Sequence, residues 1–447
     1  MRCFGGRIKD INLGFGKIVL IALILGLAVR LILIPFTSSP FDVAAGWAAV
    51  IEEIYAGNSL YDAEMYKYTP VWGYVLSVLA YVADLIGMDS FGEMFTTIYP
   101  GKELTYGYGF ITNPAFNTLV KAPALIFDIL AAFAFYRLAM DITNDRRKAE
   151  ISFALWFLCP VVIMSSAILC MFDSIVVFFA VEALILLRRK EMLLAGIFIA
   201  LSILTKAFFA ILLPLVIVYL LSDPDLGLNA RLKNLAKSAA GAVAVFLLVY
   251  AAPLLCGEFS DSMWFLTSRS EGYSSSGVIN LTSLGFNNVF FYVPVILLLI
   301  LISCIVMARS RRDRDKTLLI LVAMTSSLLF CFPFVSYTPT YGVMLLLPVI
   351  LLYCIWGRIA MIPWVLLLFF VFHWAAHYWE TSFYPLAAFT DLISMSDIVE
   401  EMGNGTLYYA ILLFMSSSGF AIMMIILRLY AIPELKRYRR GSSEAEL

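Results

Sequence analysis

Long apolar runs broken by clusters of Arg and Lys dominate this 447-residue chain, and that alternation limits what it can become. A helix needs about 20 residues to cross a bilayer. Apolar runs of roughly that length occur at 17–36, 116–140, 150–168, 174–187, 192–221, 238–256, 288–308, 317–334, 341–357, 360–378 and 405–427. Inside lipid a backbone must satisfy its own hydrogen bonds, which a helix does within one segment. The pattern therefore predicts an all-α polytopic membrane protein. Only 14% of residues are charged, against about 25% in soluble domains. The first run follows a basic start (Arg2, Arg7, Lys9, Lys17) and lacks a small-residue cleavage site, so it reads as a first spanning helix rather than a removed signal.

Charge fixes the expected path. As one helix, 192–221 would be about 45 Å long, too long for a hydrocarbon core of about 30 Å. Ser202 and Thr205-Lys206 lie at its middle, so it is expected to split there into two short helices with Lys206 at the turn. About twelve spans result, with both termini cytoplasmic. Of the 31 basic residues, only Arg30, Lys67, Lys102, Lys121, Lys206 and Arg269 then fall away from the cytoplasmic side. Without the split, the basic loop 309–316 would move outside, against the positive-inside bias. The same count demotes Pro70–Gly87 to a helix in the outer interface, and 42–57 reads as a similar interfacial helix ending at Gly57-Asn58. The outer side carries a long first loop, 37–115, and loops at 257–287 and 379–404. No internal repeat is evident. Residues 1–430 read as a single membrane unit, and 431–447 as a cytoplasmic basic tail without order.

Several function classes fall away. Lys+Arg 31 balances Asp+Glu 32, so nucleic acid is not an expected partner. The seven cysteines form no CxxC pair and no cluster with histidine. His373 and His377 share a helix face and at that spacing can hold a metal, but no glutamate accompanies them in an HExxH pattern; a polar helix end or a lipid-headgroup contact is the favoured reading. Asn280-Leu281-Thr282 and Asn404-Gly405-Thr406 are sequons in outer loops.

The remaining polar residues of interest are expected at the outer membrane face, where ionisable groups are costly unless paired or functional. Asp42 follows span one and reads either as a catalytic base or as the cap of an interfacial helix. Asp173, in the turn Phe172-Asp173-Ser174, reads as a substrate contact, a cap, or the partner of Lys206. Lys206, alone among thirty apolar residues, reads as a phosphate or carboxylate partner or as a snorkelling lysine. Arg269 is a phosphate ligand or an ordinary loop arginine. Tyr337 and Tyr341 belong to a site or to the interfacial aromatic belt. Asp128 and Glu182, within spans, are expected to be paired or to face a cavity. Carboxylates with isolated cations at one interface suit chemistry on a lipid-linked phosphate.

In order and sidedness these motifs resemble the GT-C class of integral-membrane glycosyltransferases that use polyprenyl- or dolichyl-phosphate sugars. An acid, Asp42, opens the first outer loop. Tyr68-x-Pro70-x-Trp72 follows at the start of an interfacial helix. Lys121-x-Pro123 with Asp128 opens the second span. The Phe172-Asp173-Ser174 and Leu204-Thr205-Lys206 turns come next. Phe334 with Pro339 and Tyr341, then Leu345-Leu346-Leu347-Pro348, is similar to the Leu-Leu-Pro helix of dolichyl-phosphate-mannose-dependent mannosyltransferases. Asp42 lacks the adjacent second acid common in that class, Met171 stands where a Gln is frequent, and Ala207 replaces the usual Pro after Lys206.

The resemblance implies an inverting transfer of a hexose, mannose favoured, from a polyprenyl-phosphate donor to a hydroxyl of a glycolipid, lipid-linked glycan or protein. Asp42 would deprotonate the acceptor. Asp173, Lys206, Arg269, Tyr68, Tyr337 and Tyr341 would line the substrate site, with Lys206 and Arg269 on the phosphate. No cofactor and no metal ligand is expected, although the acids and the histidine pair leave a divalent metal open. The expected location is a prokaryotic plasma membrane or endoplasmic reticulum, with the site on the non-cytoplasmic side. A lipid-sugar flippase or transporter is the alternative, and a partner-binding membrane subunit a third.

Overall fold

In a computed structural model of the protein, the residues described are 16–64, 66–96, 111–223, 225–263, 288–309 and 339–357, with a few positions between 367 and 385. Helix α1 spans Lys17–Phe36. It buries Val19, Ala22, Gly26, Arg30 and Ile34, one stripe at three- and four-residue spacing. Leu20, Ile21, Ile24, Leu25, Leu31 and Ile32 are exposed around it, the composition of a lipid-facing surface. The chain leaves α1 at Thr37, makes a π-helical stretch over Pro40–Ala48, and continues as α2, Ala49–Tyr55. Helix α3, Pro70–Leu85, begins with Pro70 at its first turn and packs on α2. It is 16 residues long, the same length as Asp173–Arg188 farther along the chain. A two-residue antiparallel pair, β1 (Phe95–Thr96) and β2 (Ile111–Thr112), closes the described part of this loop.

Helix α4, Pro114–Thr143, is 30 residues long. Asn113 caps it, accepting from the Phe116 amide at 2.7 Å. It ends at Asn144, in the left-handed conformation with φ 49°. Asp145 at once caps α5 (Arg146–Phe157), accepting from the Arg147 and Lys148 amides. This two-residue reversal makes α4 and α5 antiparallel neighbours. The 150–168 run is not one straight helix. It breaks at Leu158-Cys159, and α6 (Pro160–Ile163) with its π-helical extension Met164–Ile168 leaves at 41° to α5. Pro160 cannot donate the amide that would continue α5, which accounts for the break.

Helix α7 spans Asp173–Arg188 and α8 Met192–Thr205. Lys206 is extended, with φ −157° and ψ 125°, and a 3-10 turn (Ala207–Leu212) leads to α9, Leu213–Leu221. The run 192–221 therefore breaks at Lys206. It also doubles back, because Lys190 before α8 reaches Asp223 after α9 at 3.4 Å. Helix α10 (Leu228–Val249) packs along α8, and α12 (Asn288–Arg309) packs on α9; the short α11 (Ala251–Cys256) follows α10. Helix α13 (Gly342–Trp356) packs against α4, α5 and α7.

The bundle has two chemically distinct ends. At one, Arg189 pairs with Asp141 at 3.1 Å, Arg137 with Glu182 at 2.7 Å, and Lys148 donates to the Cys354 carbonyl at 3.0 Å. These contacts gather the C-terminal ends of α4, α7 and α13 with the starts of α5 and α8. The end of α1 and the starts of α4, α7 and α13 point the other way, toward the first loop. Three described helices, Lys17–Phe36, Pro114–Thr143 and Leu228–Val249, are long and apolar enough to cross a membrane, and α5 with α6 forms a fourth if the bent pair counts as one span.

Glycine sets the closest crossing. A Cβ on Gly196 of α8 would lie 1.9 Å from the Ser238 carbonyl oxygen, and one on Gly241 of α10 would lie 2.2 Å from that of Leu193. Both obstacles are backbone, so the helices would have to separate. Gly196→Val is expected to lower stability by about 1–3 kcal/mol. Gly92→Ala, at a position where nothing lies within 4 Å, should stay within about 0.5 kcal/mol of the parent. Thermal unfolding of the detergent-purified chain measures both; equal midpoints would contradict the crossing.

Candidate functional site

Two buried ion pairs organise the charged groups inside the bundle. The first joins spans one and two. Arg30 Nε lies 2.8 Å from Asp128 Oδ2, both side chains fully buried. Arg30 Nη1 donates to the carbonyls of Phe157 (2.8 Å) and Gly26 (3.1 Å), and the guanidinium lies over the Phe157 ring at 4.3 Å. Gly26 lets that ring approach, since a Cβ there would meet Phe157 Cδ1 at 2.5 Å. Ser166 donates to Asp128 Oδ2 at 2.6 Å, and Ser174 donates to the other oxygen. Asp128 thus ties together α1, α4, the π-helical segment and α7. Its pairing was one of the two expected readings, and Glu182 is likewise paired, with Arg137.

The second pair is Asp173 with Lys206, Oδ1 to Nζ 2.6 Å, side chains 0% and 3% exposed. Ser165 donates to the other Asp173 oxygen at 3.3 Å. Asp173 opens α7 and Lys206 ends α8, so the pair locks the N-terminus of one helix to the C-terminus of the next. The carboxylate and the ammonium each sit at the helix end whose dipole favours them. Of the readings open for Asp173 and Lys206, the structure therefore has the mutual pair. Lys206 also lies 4.8 Å from the Tyr341 ring centroid and 5.6 Å from that of Phe172. The residues on either side of this pair link it directly to the first, because Ser165 and Ser166 are sequence neighbours, as are Asp173 and Ser174.

The first loop packs onto this pair through aromatic rings. Trp72 stacks on Phe172 at 4.9 Å and 16°. Tyr68 meets Phe172 edge-on at 5.1 Å, and Trp47 contacts Tyr66, Tyr68, Trp72 and Phe172. The Trp47 indole donates to the Cys170 carbonyl at 3.3 Å, and Cys170 takes the left-handed conformation with φ 58°. Thr69 donates to the carbonyls of Leu204 and Thr205, so the Tyr68-x-Pro70-x-Trp72 motif clasps the end of α8 just before Lys206. Burial pushes the Tyr66 phenol well above its ordinary value, and it remains the donor to the Thr69 carbonyl at 2.8 Å.

Asp42 sits in the first turn of the π-helical stretch that also carries Trp47. Ser39 accepts from the Asp42 amide at 3.2 Å and donates to Asp42 Oδ2 at 2.9 Å. The N-cap of this stretch is thus Ser39 rather than Asp42, and the Asp42 carboxylate receives a bond instead of giving its cap. Asp42 is half-buried, whereas Asp128 and Asp173 are fully buried. Asp62 is exposed and accepts from the Ser59 amide at 3.0 Å.

The structure therefore brings together Asp173, Lys206, Tyr341 and Tyr68, while Asp42 lies in the π-helical stretch whose Trp47 packs on Phe172 and Tyr68. Arg269, Tyr337, His373 and His377 lie outside the described residues. Among the described residues, no three His, Cys, Asp or Glu side chains group around a point that would hold a metal ion. Trp47 and Phe172 were missed as site-building residues; in so aromatic a chain, 35 Phe and 8 Trp among 447 residues, composition hides them.

This helical membrane bundle, with an acid-bearing first loop clasped over a buried ion pair, has the architecture expected of a GT-C-type glycosyltransferase, and a family match over just under half of the chain supports that class. Residues 118–333 match the model of Glycosyltransferase family 87. The match takes in Lys121, Asp128, Asp173 and Lys206 and leaves Asp42, Tyr68 and Tyr341 outside. Among curated proteins, none matches the chain.

The ion pair yields a sharp expectation. Lys206→Met would leave the Asp173 carboxylate buried without its cation, at a cost of about 3–5 kcal/mol. The double variant Asp173→Asn with Lys206→Met removes both charges and should recover most of that loss. Thermal unfolding and folded yield in detergent measure it; a double variant as unstable as the single one would contradict the pairing.

Proposed function

We propose that the chain transfers a hexose, mannose favoured, from a polyprenyl-phosphate donor to an acceptor hydroxyl, with inversion, at the non-cytoplasmic face of the membrane. Asp42 is the general base, and the acceptor is a glycolipid, lipid-linked glycan or protein. The observation that carries the reading is the seat of Asp42. It is half-buried at the loop end of the bundle, with one carboxylate oxygen held by Ser39, in the stretch whose Trp47 packs on Phe172. A carboxylate oriented by a donor and still reached by solvent suits the removal of a hydroxyl proton.

The remaining roles follow from electrostatics. As the sugar–phosphate bond breaks, charge builds on the lipid phosphate. An ammonium has three donors. Asp173 takes one of those of Lys206, and a phosphate oxygen arriving beside Tyr341 would take another. Asp173 holds the lysine in a dry setting, where a fixed cation is worth more than in water. Arg269 is proposed as the second cation, and Tyr68 and Tyr337 as further walls of the substrate site. The non-cytoplasmic assignment is supported by the basic clusters Arg146-Arg147-Lys148 and Arg188-Arg189-Lys190 at the opposite end of the bundle.

One observation favours the flippase reading. Asp128 lies halfway along α4, so Arg30–Asp128 sits at the depth where a transporter would carry its polar site. The Asp128 oxygens are engaged by Arg30, Ser166 and Ser174, the make-up of a scaffold contact.

The test is purified full-length chain with polyprenyl-phosphate [3H]mannose and a membrane-lipid extract. Label should move to an acceptor, and Asp42→Asn should cut kcat by about 10²–10⁴-fold. Full activity in Asp42→Asn would remove Asp42 as the base. Labelled donor crossing a vesicle membrane without ever losing its sugar would support the flippase instead.

A further inference from the structure

The last turn of α1 ends inside the protein, where its orphan carbonyls have no water to turn to. The Leu33 carbonyl is satisfied locally, by Thr37 Oγ1 at 2.7 Å. The next groups are satisfied from α4. Lys121 Nζ donates to the Ile34 carbonyl at 3.0 Å, to Thr37 Oγ1 at 3.0 Å, and to the Thr37 carbonyl. Asn117 Nδ2 donates to the Pro35 carbonyl at 3.0 Å. Just before α4, Thr112 of β2 reaches Ser38 Oγ at 2.9 Å and donates to Asn117 Oδ1 at 2.7 Å.

Lys121 is fully buried, and its three donors go to the end of α1. An ammonium there meets the negative end of the helix dipole. The held residues then run without a gap toward the carboxylate. Lys121 holds Thr37, Thr112 holds Ser38, and Ser39 holds Asp42 by both its amide and its Oδ2. Thr37 also bonds the Ala167 carbonyl at 3.1 Å, which ties the same point to the segment before Asp173. A rigid three-residue strut, 37–39, thus connects a buried cation on span two to the carboxylate on the first loop.

We infer that Lys121 is a positioning residue for transfer, setting the exit of α1 and through Thr37–Ser39 the placement of the Asp42 carboxylate. The inference rests on Asp42 being the base. It assigns Lys121 no contact with substrate. Misplacement of a catalytic group by a fraction of an ångström lowers the rate while leaving substrate binding alone. A residue that only held the fold would lower the amount of active enzyme, not the turnover of what remains folded.

The experiment uses full-length chain in detergent, with polyprenyl-phosphate [3H]mannose and the lipid extract, each variant normalised to folded protein. Lys121→Met should lower kcat at least 30-fold with the donor KM within threefold of the parent, and Lys121→Arg should recover part of the loss. Ser39→Ala should also lower kcat. The double variant of Lys121→Met with Ser39→Ala should be no more than threefold worse than the worse single one, because both act on one placement. If Lys121→Met does not fold, Thr112→Val, which removes the hydroxyl holding Ser38 at nearly constant volume, should show the same kcat-only loss and the same overlap with Ser39→Ala. Penalties that multiply, a loss carried by KM, or full kcat in these variants would overturn the inference. Asp42→Asn separates the two readings. If Asp42→Asn is inactive while Lys121→Met and Thr112→Val turn over normally, the base stands and the positioning role falls. If Asp42→Asn is fully active, both fall.

Discussion

A charge inside a lipid-embedded bundle must find its opposite, and the described part of this protein is arranged around two places where it does. Arg30–Asp128 and Lys206–Asp173 are fully or almost fully buried. In each case the second carboxylate oxygen is engaged by serine, from Ser174 and from Ser165. An ion pair of this kind is weak evidence of net stability, since desolvation offsets most of the attraction. What it does supply is register. Arg30 fits only where Gly26 admits the Phe157 ring, and Lys206 only where α8 stops and the chain turns extended. Five elements, α1, α4, the 164–168 segment, α7 and α8, are thereby fixed relative to one another at the end of the bundle that carries the first loop.

The candidate site is a consequence of that register. Phe172 precedes the buried Asp173, and its ring is the floor on which Tyr68, Trp72 and Trp47 rest. The loop is therefore anchored to the ion pair through aromatic contact rather than through charge. Asp42 lies in the same π-helical stretch as Trp47. The family match to residues 118–333 takes in Asp128, Asp173 and Lys206 and leaves Arg30 and Asp42 outside.

The sequence made the frame of the bundle legible because charge and hydropathy act locally. The limits of α1 follow from its apolar run, and the break at Lys206 follows from the excess length of 192–221. The helix over 70–87 was also legible, since α3 occupies Pro70–Leu85. Pairing was not legible to the same degree. Arg30 and Asp128 are 98 residues apart, and nothing in either neighbourhood names the other. The Asp173–Lys206 pair was among the readings open from sequence, but its depth was not, because burial comes only when α13 brings Tyr341 and the first loop brings its aromatic residues over the two helix ends. The break at Pro160 was overlooked because hydropathy is indifferent to a missing amide. Lys121 stood out only as part of a motif, and its work on the carbonyls of Ile34 and Thr37 is visible in three dimensions alone.

The central claim is a single displacement at the loop end of the bundle, with a carboxylate removing the acceptor proton as the lipid phosphate departs from the opposite face. The anomeric configuration of the product tests it most directly. Transfer from an anomerically pure, 13C-labelled polyprenyl-phosphate mannose should give a product whose C1 has the opposite configuration to the donor, read from the one-bond C1–H1 coupling by NMR. A product that keeps the donor's configuration would require a covalent intermediate or a different attacking face, and would contradict the account.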